Sequence, residues 1–249
     1  MRELRVVPIR GLPEVEAGAD LAALLVDAIW RSTVPVVAGD VVVVTQKVVS
    51  KAEGRLVRLA DVEPSPGAVR FAAETGKDAR LVELALRECV RVVRSAPGVL
   101  ITETSHGLVC ANSGVDTSNV KAGYAALLPA DPDASARRLR DVLAAAFGVP
   151  LAVILSDTFG RPWRLGQTNV AIGVAGMRPL LDHRGTTDAH GHRLETTMIA
   201  VADELAAAAE LVMGKTDAVP AALVKGARYQ AGDGNAGELH RPAEHDLFR

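Results

Sequence analysis

The chain contains little of what several common classes of protein require. It has only two cysteines and no Cys-x-x-Cys pair, which argues against a disulfide framework or a zinc site. Aromatic residues make up 3% of its 249 residues, too few for the stacking platforms that bind single-stranded nucleic acid. A net charge of −2 gives no overall attraction to nucleic acid or to an anionic membrane. No apolar run approaches the ~20 residues that span a bilayer and no signal peptide is visible, so we expect a cytoplasmic protein.

Neither of the two common nucleotide-binding fingerprints is present. Gly214-Lys215-Thr216 resembles the end of a P-loop, but Ala209 stands where the first glycine is needed and a helical pattern precedes it. No Gly-x-Gly-x-x-Gly sequence follows a strand-like segment. Strand-like and helix-like segments are instead mixed without a regular βαβ alternation. We therefore predict an α+β fold with mixed sheets and packed helices, and neither a Rossmann nor a P-loop domain.

Apolar runs and helical spacing predict the main elements of this fold. Residues 41–44 are four consecutive valines, typical of a buried strand. Residues 149–155 form a second apolar run that we also interpret as a buried strand. The clearest helical spacing covers residues 197–213, where Leu205 and Leu211 are expected to face a core.

Polar and charged side chains follow the second apolar run directly. Asp157 and Thr158 come first, and Arg161 and Arg164 come shortly after them. An ionised carboxylate at the end of a buried strand costs roughly several kcal/mol if it has no partner, so Asp157 should be solvated, paired or bound to a cation. Asp116 lies in a similar polar loop, and the oxygens of Asp and Thr suit Mg²⁺ or Mn²⁺ ions that bridge substrate phosphates. The arginines could bind substrate anions, whereas the alternative for either aspartate alone is a turn or capping role.

A second charged segment follows the strand predicted at residues 41–44. Lys47 and Lys51 lie within a few residues of its end, together with Glu53 and Arg55. A lysine in this place can reach a nucleotide phosphate, and the alternative is a solvated, charged turn. With the two aspartate loops, these lysines favour chemistry on phosphates.

Short segments along nearly the whole chain resemble the coenzyme F-420:L-glutamate ligase family, the γ-glutamyl ligases of the deazaflavin cofactor. Most of these segments are weak signals alone, but their order and spacing together are specific. The segments are Pro8-Ile9-Arg10-Gly11-Leu12-Pro13, Gly39-Asp40-Val41-Val42-Val43-Val44, Val49-Ser50-Lys51-Ala52-Glu53-Gly54-Arg55, Ser113-Gly114-Val115-Asp116-Thr117-Ser118-Asn119, Ser156-Asp157-Thr158-Phe159-Gly160-Arg161, Val201-Ala202-Asp203-Glu204-Leu205 and Met213-Gly214-Lys215.

The resemblance implies a GTP-dependent ligase that adds L-glutamate to the coenzyme F-420 precursor, first through an amide and then through γ-linked glutamates. It implies an acyl-phosphate intermediate and two Mg²⁺ or Mn²⁺ ions as cofactors. It leaves open whether a monovalent cation is also required. It also implies a two-lobed protomer in a homodimer, with small-molecule substrates and with no nucleic-acid or membrane partner. We interpret residues 1–227 as the ligase domain, in one lobe or two, and residues 228–249 as a polar C-terminal tail or linker. Residues 241–249 resemble the linker that follows the N-terminal ligase domain of the bifunctional actinobacterial form.

The resemblance also implies a role for individual residues. Asp116, Asp157 and Thr158 would hold metal, Asp116, Asp157 and Arg161 would be catalytic, and Arg161 and Arg164 would bind substrate. The stretch 213–220 would wrap the nucleotide from one side. The residues implied in GTP binding are Leu12, Pro13, Glu14, Val15, Gln46, Lys47, Lys51, Asn119, Met213, Gly214 and Lys215.

Two other functions remain open from the residues alone. A metal-dependent phosphohydrolase acting on a phosphorylated metabolite would use the same aspartates but would need no amine acceptor. A nucleotide-sensing module would bind the nucleotide without turnover. Formation of GDP only when precursor and glutamate are both present would distinguish the ligase from these alternatives.

Overall fold

The computed structural model describes residues 3–246 of the chain, in which helices and strands follow one another without a regular alternation. The helices are α1 (Leu21–Arg31), α2 (Gln46–Ala52), α3 (Pro66–Thr75), α4 (Ala79–Arg87), α5 (Pro132–Phe147) and α6 (Val201–Met213). The strands are β1 (Arg5–Ile9), β2 (Val41–Thr45), β3 (Leu56–Arg58), β4 (Cys89–Ala96), β5 (Val99–Thr104), β6 (Val109–Ala111), β7 (Tyr124–Ala126), β8 (Ala152–Arg161), β9 (Arg164–Ala175), β10 (Leu181–Asp182), β11 (Met198–Ile199) and β12 (Ala221–Lys225).

The largest sheet has five strands in the order β1-β12-β2-β8-β9. Only β2 and β8 are parallel to each other, and the other neighbours are antiparallel. Their register pairs Thr45 with Ser156, so both strands reach the same edge of the sheet at the same level. The residues that follow β2 and the outer half of β8 therefore lie side by side, which determines where the functional site is built.

The central strands are apolar because both faces of the sheet are covered. In β2, Val42 and Val44 point to the core formed with α1 and α5, whereas Val41 and Val43 point to the core formed with α6. All four valines are fully buried. Since successive side chains of a strand alternate between faces, a run of valines without alternation is what a doubly covered strand requires.

A second lobe lies between β2 and β8 in the sequence. Its core draws on α3 and α4, the three-stranded sheet β4-β5-β6 and the pair β3-β7, with Leu100 and Ala125 fully buried within it. Helix α3 begins with Pro66 in its first turn, and the Ser65 hydroxyl accepts a hydrogen bond from the amide of Ala68. The predicted α+β fold, with mixed sheets and two lobes, is confirmed.

Two local expectations were wrong. The strand predicted to end before Asp157 continues to Arg161, because pairing with β9 carries the backbone past the polar residues and forms a long hairpin. Leu211 was expected to face a core but is 87% exposed. Helix α6 packs instead through small residues such as Ala202, Ala206 and Ala209, which let it lie close against the sheet.

The C-terminal segment lies against the body of the protein within residues 228–246. Ala236 is buried, and its amide donates to the Asp133 carboxylate at 3.0 Å. The same Asp133 oxygen accepts from the amide of Val174 at 2.8 Å, so one carboxylate on α5 holds both β9 and this segment. Nearby, β9 approaches the start of α5 so closely that a Cβ atom on Gly173 would lie 2.5 Å from the Pro132 carbonyl oxygen. Residues 247–249 of the predicted tail lie outside the described residues.

Candidate functional site

A cavity of about 760 Å³ opens at the edge of the sheet where β2 and the parallel part of β8 end. Four separate stretches of the chain form its walls: residues 12–15, the end of β2 with α2, residues 118–121, and residues 214–220 after α6. The middle of the β8–β9 hairpin forms its floor. The amide of Thr45 donates to the Pro220 carbonyl at 2.9 Å, which joins two of these walls.

Most of the residues predicted from the sequence for nucleotide and metal binding line this one cavity. They are Leu12, Pro13, Glu14, Val15, Gln46, Lys47, Lys51, Asn119, Asp157, Thr158, Gly214 and Lys215. The predicted stretch 213–220 also contributes Thr216, Ala218, Val219 and Pro220. Residues far apart in the sequence therefore meet around a single space.

Lys47 and Asp116 form an ion pair at the rim of the cavity. The Lys47 ammonium also donates to the carbonyl of Ser118 at 3.0 Å, while the amide of Ser118 donates to Asp116 Oδ1 at 2.8 Å. Burial raises the pKa of Asp116, but hydrogen bonds from Lys47 and Ser118 outweigh it and leave that pKa below its ordinary value. Asp116 is thus held ionised, with its charge shared between an ammonium group and backbone dipoles.

Asp157 has the opposite electrostatic character. Burial raises the pKa of its carboxyl to about 6, although the backbone amide of Thr158 and the charges of Lys47 and Lys215 lower it in part. The negative charge of Asp116 raises it further, which places the two carboxylates within electrostatic reach of each other. A buried carboxyl with a raised pKa near a second carboxylate favours a bound cation, because the cation would stabilise both charges.

Thr158 and Lys215 meet at the floor of the cavity. The Lys215 ammonium donates to Thr158 Oγ1, and the Thr158 hydroxyl donates to Asn169 Oδ1 at 2.7 Å. Asn169 is only 2% exposed, and its Nδ2 donates to Glu210 Oε2 at 3.0 Å. This part of the floor is therefore a fixed polar network.

The other predicted lysine, Lys51, is buried on the opposite wall. Its ammonium forms an ion pair with Glu14, whose side chain is 77% exposed. Gln46 is 1% exposed, and its Oε1 accepts the hydroxyl of Ser50 at 2.8 Å. Its Nε2 atom has no hydrogen-bond partner among the described residues, so this amide group can still donate to a ligand.

Several predicted residues do not line the cavity. Met213 is fully buried in the core below it, where it fixes the end of α6. Asp116 reaches the cavity through its contact with Lys47. Arg161 and Arg164 are exposed at the tip of the β8–β9 hairpin, where Arg161 donates to the carbonyl of Leu165 at 3.2 Å. Within one chain, the structure does not bring these arginines to the site.

Several residues that the structure places in the cavity were not predicted from the sequence. They include Thr45, Ser156, Asn169 and Glu210. Asn169 could have been predicted from the sequence. It stands just before the apolar end of β9, as Asp157 stands just after the apolar start of β8. Glu210 could not have been predicted, since only the packing of α6 against β9 brings it to Asn169.

The oxygen atoms of this site suit a hard divalent cation. Asp116 and Asp157 offer carboxylates and Thr158 offers a hydroxyl, which are ligand types that Mg²⁺ and Mn²⁺ prefer. Among residues 3–246 there is no group of three His, Cys, Asp or Glu side chains arranged to hold a metal. The charges of the two carboxylates suit one divalent cation, and bound phosphates and water would have to supply its remaining ligands.

The mixed fold and a cavity lined by lysines and carboxylates are typical of an enzyme that acts on small anionic molecules. Residues 10–226 match the sequence model of the family described as F420-0:Gamma-glutamyl ligase. The chain therefore belongs to this ligase family, and the resemblance inferred from its short motifs is confirmed.

Named relatives agree with this assignment over most of the chain or nearly all of it. The coenzyme F420:L-glutamate ligase of Methanothermobacter thermautotrophicus is 46% identical, with 99% of each chain covered. The protein of the same name from Methanopyrus kandleri is 44% identical, with 99% of this chain and 98% of the relative covered. The one from Methanocaldococcus jannaschii is 42% identical over 86% of each chain. Within residues 3–246, no helix combines the length and apolar character needed to cross a bilayer.

Proposed function

We propose that this chain is a cytoplasmic ligase that joins L-glutamate to the coenzyme F420 precursor at the expense of GTP, with Mg²⁺ or Mn²⁺. Its family and the printed names of its relatives support the ligase activity. The use of a nucleotide is supported by one observation above all: Lys47, Asp157 and Lys215 meet at one cavity. These residues come from three distant stretches of the chain, and each brings a charge of the kind that phosphoryl transfer uses.

The charges around the cavity support a divalent cation as part of this proposal. Lys47 is paired with Asp116, and Lys51 is paired with Glu14, so much of the lysine charge is already balanced. A nucleoside triphosphate adds several negative charges to a site that is close to neutral. Bound Mg²⁺ or Mn²⁺ would offset the phosphate charge and lower the barrier to transfer.

The proposed reaction has two steps. A terminal carboxylate oxygen of the acceptor attacks the γ-phosphorus of GTP, the bond to the β–γ bridging oxygen breaks, and GDP leaves with that electron pair. The resulting acyl phosphate is then attacked by the glutamate amine, which loses a proton as inorganic phosphate departs and the amide forms. The first step gives the carboxyl group a phosphate leaving group, and the amine displaces that phosphate in the second step.

The chain's own residues position and neutralise the reacting groups. Lys47 and Lys51 lie where they can donate to phosphate oxygens, and ligand phosphates would compete with their present partners Asp116 and Glu14. The buried Asp157 would hold the cation close to these phosphates. Placing such groups before reaction reduces the reorganisation required in the transition state.

A homodimer is part of this proposal. The tip of the β8–β9 hairpin exposes Trp163 by 79% and Leu165 by 99%, beside Arg161 and Arg164. Large apolar side chains with this exposure are typical of surfaces that another protein covers. A second copy of the chain that covered the tip would also give the two arginines a substrate-binding position that one chain alone does not.

Product analysis tests the proposal directly. The chain is incubated with F420 precursor, L-glutamate, GTP and Mn²⁺, and mass spectrometry should detect the precursor plus one or more glutamates, with one GDP formed for each glutamate added. Omitting glutamate or precursor should abolish sustained GDP formation. Continuous phosphate release without the amine would instead identify a phosphohydrolase, and nucleotide binding without any turnover would identify a sensing module.

A further inference from the structure

A chain of hydrogen bonds in the cavity floor ends on a lysine ammonium. Glu210 accepts from Asn169 Nδ2 at 3.0 Å, and Asn169 Oδ1 accepts the hydroxyl of Thr158 at 2.7 Å. The Lys215 ammonium then donates to Thr158 Oγ1. The chain thus runs from a carboxylate through an amide and a hydroxyl to a positive charge.

The chemistry of these groups fixes the direction of every bond. An ionised carboxylate can only accept, so it orients the Asn169 amide with its NH₂ toward Glu210 and its oxygen toward Thr158. The Thr158 hydroxyl therefore donates its only hydrogen to Asn169, and the lone pairs of its oxygen face the cavity. Because Asn169 is 2% exposed, water cannot easily replace either partner. The Thr158 oxygen is left as a site for a cation or a donor.

Lys215 is itself held at this oxygen. Its carbonyl accepts from Asn119 Nδ2 at 3.3 Å, which anchors the backbone to the opposite wall. Two residues earlier, Met213 is fully buried and fixes the end of α6. Gly214 turns the chain with a φ of +61°, and a Cβ atom there would lie 2.7 Å from an Asp217 carboxylate oxygen. Only glycine allows this turn without strain, so the position of Lys215 follows from its neighbours.

The remaining ligands do not suffice for two divalent ions, because Glu210 already accepts from Asn169 and Glu14 is paired with Lys51. Asp116 and Asp157 lie within electrostatic reach of each other, and Asp116 already accepts the Lys47 ammonium. No group of three metal-binding side chains of the acidic, histidine or cysteine type exists within the described residues. The hydroxyl oxygen that would complete a second position is taken by Lys215.

We propose that Lys215 is a resident cation of this site. Its ammonium occupies the cation position at the Thr158 oxygen, so the chain binds one divalent ion together with the nucleotide, and not two. This inference rests on the proposed function, because it assumes a nucleotide and at least one divalent ion in the cavity. It assigns to Lys215 a charge that stays in place between turnovers, unlike an ion that binds and leaves with each nucleotide.

Native mass spectrometry can count the ions. The full chain is mixed with Mn²⁺ and the non-hydrolysable imido analogue of GTP, and the mass of each complex gives the number of Mn²⁺ ions per chain. We expect one Mn²⁺ in the wild type and two in Lys215→Gln, since glutamine removes the ammonium and offers an oxygen. The double variant Thr158→Val/Lys215→Gln should return to one, because it lacks the oxygen that the second ion needs.

A matched control uses another lysine of the same cavity. Lys121→Gln removes an ammonium that lies 6.0 Å from the ring centre of Tyr124, and its complex should keep one Mn²⁺. Melting curves of all variants confirm folding, which the exposed position of Lys215 favours. Two ions in the wild type, one in Lys215→Gln, or two in the double variant would overturn the inference and leave the proposed function standing. Binding of the analogue without any Mn²⁺ would instead remove the metal from the proposed function.

Discussion

Replacing Asp157 by asparagine should stabilise the protein without its ligands. Burial raises the pKa of this carboxyl from 3.8 to about 6, so in the folded state the ionised form is disfavoured. Below the pKa of the unfolded state, Asp157 is protonated in both the folded and the unfolded protein. Its burial then costs no stability. Between the two pKa values the unfolded state loses its proton first, and stability falls as the pH rises. Above the folded pKa both states are ionised and the cost is constant, at about 3 kcal/mol for a shift of this size.

Asparagine resembles the protonated carboxyl and cannot ionise. The gain in unfolding free energy of Asp157→Asn over the wild type should therefore follow the same pH dependence. The stability gain of Asp157→Asn is expected to grow from about 1 kcal/mol near pH 4.5 to about 3 kcal/mol near pH 7.5. Urea unfolding at several pH values, with Mg²⁺ and nucleotide absent, measures the difference. The control is Asp182→Asn, because a hydrogen bond from Arg184 lowers the pKa of Asp182 to about 2 and its removal should not stabilise. A gain that is independent of pH, or a loss near neutral pH, would refute this account of Asp157. The variant should also lose ligase turnover, because residues that serve function are often retained at a cost in stability.

Three further substitutions test other parts of the structure. Gly173→Ala should destabilise the fold by about 3 kcal/mol in urea unfolding, because the new methyl group would meet the Pro132 carbonyl, and an unchanged midpoint would contradict the close packing. Asp133→Ala should cost about 2 to 4 kcal/mol by the same assay, since it leaves two backbone amides without an acceptor. Lys47→Met should weaken nucleotide binding roughly 10- to 100-fold in isothermal titration calorimetry, because the change removes a charged donor and leaves Asp116 to repel phosphate. An affinity equal to that of the wild type would argue against a contact between Lys47 and phosphate.

The sequence predicted those parts of the fold and the site that depend on local patterns. The four valines of β2 indicated a buried strand, and charged residues after the apolar runs predicted Lys47 and Asp157 as site residues. The structure places both side chains at one cavity, because a change from apolar to polar residues marks the place where a buried strand leaves the core, and their roles there stay predictions. The same rule failed for the end of β8, since backbone pairing with β9 needs no apolar side chains.

Contacts between distant elements could not be predicted in this way. Asn169 and Glu210 meet because of the register of β9 against β8 and the packing of α6, and neither is encoded in a short pattern. Helical spacing placed Leu211 on the buried face, but alanines on α6 allow an approach that leaves it in solvent. The contact of Lys215 with Thr158 joins residues 57 positions apart and follows only from the assembled cavity.

The position of β12 in the large sheet has a consequence for synthesis of the protein. This strand, from the last tenth or so of the chain, lies between β1 and β2, which come from its first fifth. Until residues 221–225 leave the ribosome, β1 has no partner and the walls at residues 12–15 and 214–220 cannot meet. Such non-local pairing slows folding, and it also means that a partly made chain has no cavity in which to capture nucleotide. The cavity should therefore form only once β12 has joined the large sheet, and nucleotide retention would report that this sheet is complete.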